Sequence, residues 1–180
     1  MIITTNRLLI REFTESDWTR VLAYQSNPLY LRYYHWTQRT AEDVRLFIRD
    51  FINQQNEEPR TKFQLAVILR SEEKLIGNCG IRKKSHDSRE AEIGYELDPD
   101  YWGRGYATEA ITSLVHFGFS KLMLHRVASH CIAENQASAR VLEKLGMCCE
   151  GKLRENQWIK GRWWDTLLYS ILENEWSKAL

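Results

Sequence analysis

The chain has 180 residues, with 25 Lys or Arg against 24 Asp or Glu and 43% hydrophobic residues. This length predicts one domain, residues 1–180, with a substantial core. The formal charge of +1 provides no broad electrostatic footprint for nucleic acid. No apolar run approaches the roughly 20 residues of a membrane span, and the N-terminus turns polar too soon for a signal peptide. We therefore expect no direct nucleic-acid partner and no membrane partner.

Cysteines and histidines bear on compartment and metal binding. No pair of cysteines has Cys-x-x-Cys spacing, and two adjacent cysteines would be strained as a disulfide. Reduced thiols in a cytoplasmic protein are therefore expected. The five histidines show no metal-ligand spacing, so no metal site is predicted. The cysteines are Cys79, Cys131, Cys148 and Cys149.

The N-terminal part of the chain predicts a strand and two helices. Apolar residues alternate over residues 8–13, which favours a strand. Thr14-Glu-Ser-Asp17 matches a capping box and predicts a helix that Asn27-Pro28 ends. The aromatic stretch of residues 29–36 is either a loop packed on the core or an aromatic wall beside a substrate. Thr40-Ala-Glu-Asp43 caps a second helix.

The rest of the chain predicts a mixed sheet with helices on its faces. Polar turns separate the strands, and helical spacing of apolar residues marks the helices. Lys160-Gly161 joins the last two strands as a hairpin. Strands are predicted at residues 63–69, 75–81, 91–97, 126–132, 150–158 and 162–172, and helices after residues 105 and 135.

A glycine loop lies between the strand that ends at Leu97 and the helix that follows. Gly103 and Gly105 have no side chains, so an anion can approach the peptide N–H groups there. The helix begins with unpartnered amides and the positive end of its dipole, which favours phosphate. A tight turn is the alternative for two glycines. A Rossmann site fits less well, because a third glycine and a following acidic residue are absent.

Seven motifs occur along the chain in a fixed order. They are Asn6-Arg7-Leu8 with Leu9-Ile10-Arg11, Glu92-Ile-Gly-Tyr-Glu-Leu97, Tyr101-Trp-Gly-Arg-Gly-Tyr-Ala-Thr-Glu-Ala110, Asn135-Gln-Ala-Ser138, Leu142-Glu-Lys-Leu-Gly-Met147, Glu150-Gly151 and Gly161-Arg-Trp-Trp-Asp165. In this order they resemble the GNAT N-acetyltransferase family. Within it, the chain is most similar to the bacterial ribosomal-protein-alanine or -serine N-acetyltransferases.

The resemblance implies the GNAT fold and acetyl-CoA as co-substrate. The fold is α/β (α+β), with a mixed, mostly antiparallel twisted sheet of about seven strands. The sheet is splayed in the middle and has helices on both faces. The family's leading Gln or Arg of the pyrophosphate loop is replaced by Trp102. Asn135 is implied to bond the pantetheine chain, although it also suits a helix N-cap. The implied cofactor-binding residues are Leu97, Asp98, Trp102, Gly103, Arg104, Gly105, Tyr106, Ala107, Thr108 and Asn135.

Acetyl transfer requires a neutral amine. A protein N-terminal amine has a reference pKa near ~7.8 and lysine near ~10.4. At pH 7.4, deprotonation therefore costs about 0.5 kcal/mol for the first and about 4 kcal/mol for the second. Glu92 lies where many family members have a general base. Glu96 shares its face of the strand, and a solvated strand residue is its favoured interpretation.

The departing thiolate needs little acid help, because a thiol pKa is about 8.5. Leu142 occupies the position at which many members of the family have a tyrosine that acts as general acid, and leucine cannot donate a proton. The resemblance to the ribosomal branch implies Ser138 as the thiolate partner, against a plain helix serine. Gln157 stands where some members of that branch have a glutamate that acts as the base, and glutamine cannot act as one. Glu155 lies two residues away and is expected on the same face of the strand. His130 is interpreted as a structural histidine beside the implied cleft.

The sequence therefore predicts an acetyl-CoA-dependent N-acetyltransferase that is a monomer or homodimer. The acceptor is expected to be the N-terminal α-amine of a protein, with a ribosomal protein as the leading candidate. A small amine such as an amino acid, polyamine or antibiotic is the first alternative. A non-catalytic coenzyme A sensor is the second alternative, because Leu142 and Gln157 lack the expected chemistry. The predicted catalytic residues are Glu92, Ser138 and Glu155.

Overall fold

The structure is a computed structural model and describes residues 1–176. An eight-stranded sheet runs through it in the order β1-β2-β3-β4-β5-β6-β8-β7. The strands are β1 (Ile2–Thr4), β2 (Leu8–Glu12), β3 (Lys62–Leu69), β4 (Lys74–Lys83), β5 (Glu90–Leu97), β6 (Arg126–Ile132), β7 (Cys148–Ile159) and β8 (Arg162–Leu172). The helices are α1 (Trp18–Gln25), α2 (Pro28–Leu31), α3 (Ala41–Gln55), α4 (Tyr106–Ser120), α5 (Gln136–Lys144) and α6 (Glu173–Trp176).

The predicted fold class is confirmed, with one more strand than expected. The additional strand is β1, which pairs with β2 at the edge of the sheet. It is only three residues long, so it is too short to show a periodicity in sequence. Every strand pairing is antiparallel except that of β5 with β6.

Two hydrophobic cores lie on opposite faces of the sheet. Alternating residues of β3 point to opposite sides: Leu65 and Val67 join one core, and Ala66 and Ile68 join the other. Helices α1, α2 and α3 contribute to the second core, whereas α4, α5 and α6 contribute to the first. Both faces are therefore covered over the middle of the sheet, as the period-2 alternation of a strand allows.

The sheet opens between β5 and β6. These strands pair in parallel at only three positions, the last being Glu92 opposite Ala128. Beyond it, β5 stays paired with β4 up to Leu97, and β6 stays paired with β8 up to Ile132. The Ser129 hydroxyl donates to the Ile93 carbonyl oxygen at 3.1 Å just past the last pair. The result is a wedge-shaped gap at the centre of the sheet.

The aromatic stretch crosses from α2 to the β7–β8 hairpin. Its Tyr33 ring meets the Trp164 ring edge-on at a centroid distance of 5.7 Å. Lys160 in the hairpin turn donates to the Leu31 carbonyl oxygen at 2.7 Å. In the same stretch, Tyr30 is buried and Tyr34 is half-buried. The stretch therefore both packs on the core and forms one wall of the face that contains Glu92.

Within residues 1–176, no helix has the length and apolar character needed to span a membrane. The same residues hold no group of three His, Cys, Asp or Glu side chains arranged for a metal ion. All four cysteines are free thiols, two of them buried and two exposed.

Candidate active site

The glycine loop is formed by two left-handed residues at the end of β5. Gly103 and Gly105 have φ of +73° and +79°, a region that glycine occupies without strain. Gly105 is the N-cap of α4 and supplies no capping side chain. The first amides of α4 therefore have no side-chain acceptor from their own cap, and they coincide with the positive end of the helix dipole.

The outer side of the loop has room for a ligand. A Cβ built on Gly103 would meet no described heavy atom within 4 Å. Open space, backbone donors and a helix N-terminus together fit a diphosphate. The loop therefore suits the pyrophosphate of coenzyme A.

An arginine from the start of the chain supports the inner side of the loop. Arg7 donates from Nη1 to the Arg104 carbonyl oxygen at 3.0 Å and from Nε to Glu109 at 2.6 Å. Thr5 donates to the same Glu109 carboxylate at 2.6 Å. Burial raises the pKa of Glu109, but the bonds from Thr5 and Arg7 outweigh it and leave the pKa lowered. In the sequence, Arg7 stands out only as part of a motif, and nothing local indicates this contact across 97 residues.

The residues before the loop are engaged within the protein. Asp98 is buried, pairs with Arg20 at 3.0 Å, and donates its N–H to the Ile76 carbonyl oxygen at 2.8 Å. Trp102 donates from its indole nitrogen to the Leu97 carbonyl oxygen at 2.8 Å. The predicted pantetheine contacts of Leu97 and Asp98 stay predictions, and the N–H of Asp98 is already bonded.

On the α5 side of the gap, a tyrosine meets the predicted serine. Tyr95 donates to the Ser138 carbonyl oxygen at 3.0 Å, and its hydroxyl lies 2.9 Å from Ser138 Oγ. Burial raises the pKa of Tyr95, so the phenol stays protonated at neutral pH. Asn135 Oδ1 accepts from the Ser138 N–H at 3.2 Å, which confirms the N-cap interpretation. Nothing in the sequence indicates that Tyr95 contacts Ser138.

On the opposite side of the gap, a carboxylate meets a histidine. Glu92 Oε1 lies 3.2 Å from Nδ1 of His130 and 4.0 Å from Arg82. The Glu92 and His130 side chains are 46% and 50% exposed. His130 is therefore not enclosed in the core, and its only described ion-pair partner within residues 1–176 is Glu92.

The expectation that Glu96 is a solvated strand residue is wrong. Its carboxylate accepts hydrogen bonds from five side chains packed over β5. They are Tyr24 (2.7 Å), Gln25 (2.8 Å), Tyr30 (2.5 Å), Tyr34 (3.1 Å) and Asn78 (2.6 Å). We call these six residues the Glu96 cluster. The tyrosines come from α1, α2 and the aromatic stretch, because those segments lie directly over this end of β5.

Glu155 lies in an irregular part of β7. Pairing with β8 is interrupted between Leu153 and Gln157, and Glu155 has a φ of +48°. Its N–H donates to Asp165 at 2.8 Å beside an open cavity of about 790 Å³. The expectation that Glu155 shares a face with Gln157 assumed regular alternation, which the bulge breaks. Glu155 as a base stays a prediction that this geometry does not favour.

Comparison with known proteins gives the family. A family model described as acetyltransferase (GNAT) domain matches residues 7–148. An uncharacterized N-acetyltransferase of Bacillus subtilis, YnaD, is 38% identical over 177 residues, covering 98% of this chain and all of the relative.

Two solved structures have the same fold with lower identity. One is a ribosomal-protein-S5-alanine acetyltransferase from Vibrio fischeri, with a TM-score of 0.82, 22% identity and 98% of each chain covered. The other is a spermidine N-acetyltransferase from Vibrio cholerae in complex with CoA and spermine. It has a TM-score of 0.81 and 21% identity and covers 96% of this chain and 99% of that one. At this identity the likenesses establish the fold alone.

Proposed function

The chain belongs to the GNAT acetyltransferase family and is an acetyl-CoA-dependent N-acetyltransferase, and we propose that its acceptor is the α-amine of a protein N-terminus. A ribosomal protein is the substrate that the sequence resemblance favours. The single observation that best supports an N-terminal acceptor is the charge balance of the face that contains Glu92.

The carboxylates described on this face already have partners. Glu92 lies beside His130 and Arg82, and Glu134 pairs with Arg162 at 2.9 Å. The donors to Glu96 are all neutral, but five side chains donate hydrogen bonds to its carboxylate. A polyamine is recognised by unpaired negative charge that offsets the desolvation of its several cations. A single amine at the end of a peptide has no such requirement.

The wall of this face also suits a peptide. The half-buried Tyr33 meets the buried Trp164 edge-on, and the exposed Lys160 of the hairpin turn donates to the Leu31 carbonyl oxygen. Aromatic rings and backbone groups of this kind bind peptides through shape and stacking. The low pKa of an N-terminal amine compared with lysine reduces the work required of a base.

Within this proposal, most of the predicted site residues have a role. The amides of residues 103–108 hold the pyrophosphate, and Asn135 bonds the pantetheine chain. Glu92 lies on the acceptor side of the gap, where the amine loses its proton. Ser138, with Tyr95 behind it, lies on the other side, where the thiolate departs. Free thiols at all four cysteines support a reducing compartment, and we propose the cytoplasm.

Acetylation of a small amine is the alternative, and release of coenzyme A over an acceptor panel separates it from the first proposal. The panel contains peptides with free Ala or Ser N-termini, the same peptides with blocked N-termini and one lysine, spermidine, and free amino acids. We expect turnover of the free N-terminal peptides only. Turnover confined to spermidine or amino acids would contradict the protein acceptor. Tight coenzyme binding with no turnover would identify a sensor.

A further inference from the structure

We propose that His130 is the general base of the transfer and that Glu92 is its positioning residue. The proposal rests on the acetyltransferase activity of the chain and holds for any amine acceptor. It assigns the proton transfer to a histidine that neither the sequence nor the family comparison indicated.

Position is the first argument. Glu92 and Ala128 form the last β5–β6 pair before the sheet opens. His130 is two residues beyond Ala128 and therefore projects from the same face of β6 as Glu92 does from β5. The pair lies at the apex of the gap, and Ser138 with Tyr95 lies on the opposite face, because Tyr95 belongs to the α4-side core. A thioester held in the gap would have the histidine on its acceptor side and the serine on its thiol side.

The chemistry of the pair is the second argument. Glu92 Oε1 lies 3.2 Å from Nδ1 of His130, so a neutral imidazole donates Nδ1–H to the carboxylate. The lone pair is then on Nε2, and half of the side chain is exposed. A carboxylate that fixes the tautomer of a histidine in this manner prepares it as a base.

An imidazole is in general a better proton acceptor than a carboxylate. A reference imidazole has a pKa near ~6.5 and a reference glutamate near ~4.3. The pKa of an N-terminal amine, near ~7.8, therefore lies about 1.3 units above that of imidazole, compared with about 3.5 units above that of glutamate. General bases work best when their pKa is near the working pH.

The surrounding charges favour Glu92 as the positioning residue and His130 as the base. Arg82 of β4 lies 4.0 Å from Glu92, and its guanidinium occupies the space above Gly94, where a Cβ would come within 2.8 Å of it. On β6, Arg126 is bonded to Glu90 and to Glu150 of β7. Opposite His130 on β8 stands Leu168, which is uncharged. Arg82 is therefore the described cation beside Glu92, and no described cation within residues 1–176 is paired with His130.

The step balances in protons and electrons. Nε2 of His130 takes the proton of the acceptor ammonium, and the freed nitrogen lone pair attacks the thioester carbonyl carbon. The C–N bond forms, and the tetrahedral intermediate collapses as the C–S bond breaks. The second amine proton passes to solvent, as the proton on His130 does afterwards, and coenzyme A leaves as a thiolate beside Ser138.

Substitution of His130 tests the proposal with the best acceptor of the wild-type enzyme. We expect His130→Gln to lower kcat/KM about 100-fold at pH 7 with coenzyme affinity unchanged by calorimetry. In this variant, the acidic limb of the pH profile of kcat/KM should follow the ionisation of the acceptor amine alone. Glu92→Gln should lower kcat/KM as well, because it disturbs the tautomer. His116→Gln, on the exposed face of α4, is the matched control and should match the wild type.

Chemical rescue separates a base from a structural residue. Added imidazole should restore a substantial part of the activity of His130→Ala, in proportion to its unprotonated form. A His130→Gln enzyme within twofold of the wild type, or a lost activity that imidazole does not restore, would overturn the proposal. If the wild-type protein acetylates spermidine or free amino acids but no peptide, the protein-acceptor proposal fails, and the His130 variants are then tested with that small amine.

Discussion

Glu96 shows how far the role of one residue can depart from its pattern in sequence. On an alternating strand it occupies a position that is normally solvated, yet five side chains donate to it. A carboxylate removed from water costs free energy unless its lone pairs are occupied. Here three tyrosines and two amides occupy them, and the same bonds fasten α1, α2 and the aromatic stretch to β5.

Replacing Glu96 with glutamine should therefore destabilise the protein. The new amide would direct N–H donors at hydroxyls that already donate, which leaves buried donors unpaired. We expect a loss of about 3 kcal/mol in the free energy of unfolding, measured by urea denaturation. Glu92→Gln is the control, since its half-exposed ion pairs should contribute less than about 1 kcal/mol. Equal losses in the two variants would mean that the Glu96 cluster does not stabilise the fold.

At the scale of elements, the strand, loop and helix from β5 to α4 act as one unit. The loop has two left-handed glycines on its outer side, and the Arg7–Glu109 pair supports it from the inner side. Neither glycine is needed for packing, because Gly103 has open space beside it and Gly105 would touch only the end of Arg7. The requirement for glycine is therefore conformational and is tied to the presentation of the N–H groups.

Gly105→Ala should weaken binding of coenzyme A about tenfold. An alanine at positive φ costs roughly 1 kcal/mol, and relief of that strain turns the amides away from the ligand. Gly146→Ala is the matched control, because Gly146 has a similar φ of +76° at the end of α5, far from the loop in sequence. Calorimetric titration with coenzyme A should show unchanged affinity for the control. An unchanged affinity for Gly105→Ala would mean that the loop does not hold the pyrophosphate.

At the scale of the whole molecule, the sheet separates two cores, and the Glu96 cluster joins one of them to the edge of the gap. The contribution of the cluster to the free energy of unfolding depends on pH. Burial and the adjacent charge of Glu96 raise the pKa of Tyr24, Tyr30 and Tyr34. A group with a raised folded-state pKa stabilises the protein fully below its unfolded pKa, near ~10 for tyrosine, and loses that contribution as the pH rises further.

The free energy of unfolding should consequently fall above about pH 10, by about 1.4 kcal/mol per pH unit for each tyrosine concerned. Urea denaturation between pH 9 and 11 measures the slope. Tyr30→Phe should make the slope shallower, whereas Tyr33→Phe should not, because Tyr33 bonds Glu134 instead of Glu96. A wild-type slope in Tyr30→Phe would show that Tyr30 does not contribute to the alkaline loss.

The longer elements could be predicted because their signals are local, whereas the short β1, α2 and α6 were not predicted. Apolar alternation located the central strands, the Thr40–Asp43 capping box opened α3, and Lys160-Gly161 formed the last turn as expected. The glycine loop was also predictable, since strand, glycines and helix follow each other directly. The order of motifs then indicated the family and, with it, the cofactor.

What only the tertiary structure decided is which distant side chains meet. Arg7 supports a loop 97 residues away, Tyr95 meets Ser138, and His130 meets Glu92. Periodicity reports which face a residue occupies, but it carries no information on what the fold brings against that face. The sequence by itself therefore determined the longer elements and, through the family, the cofactor and the reaction. The sheet opening and the helices packed over it decided which carboxylate is engaged in the fold and which one faces the gap.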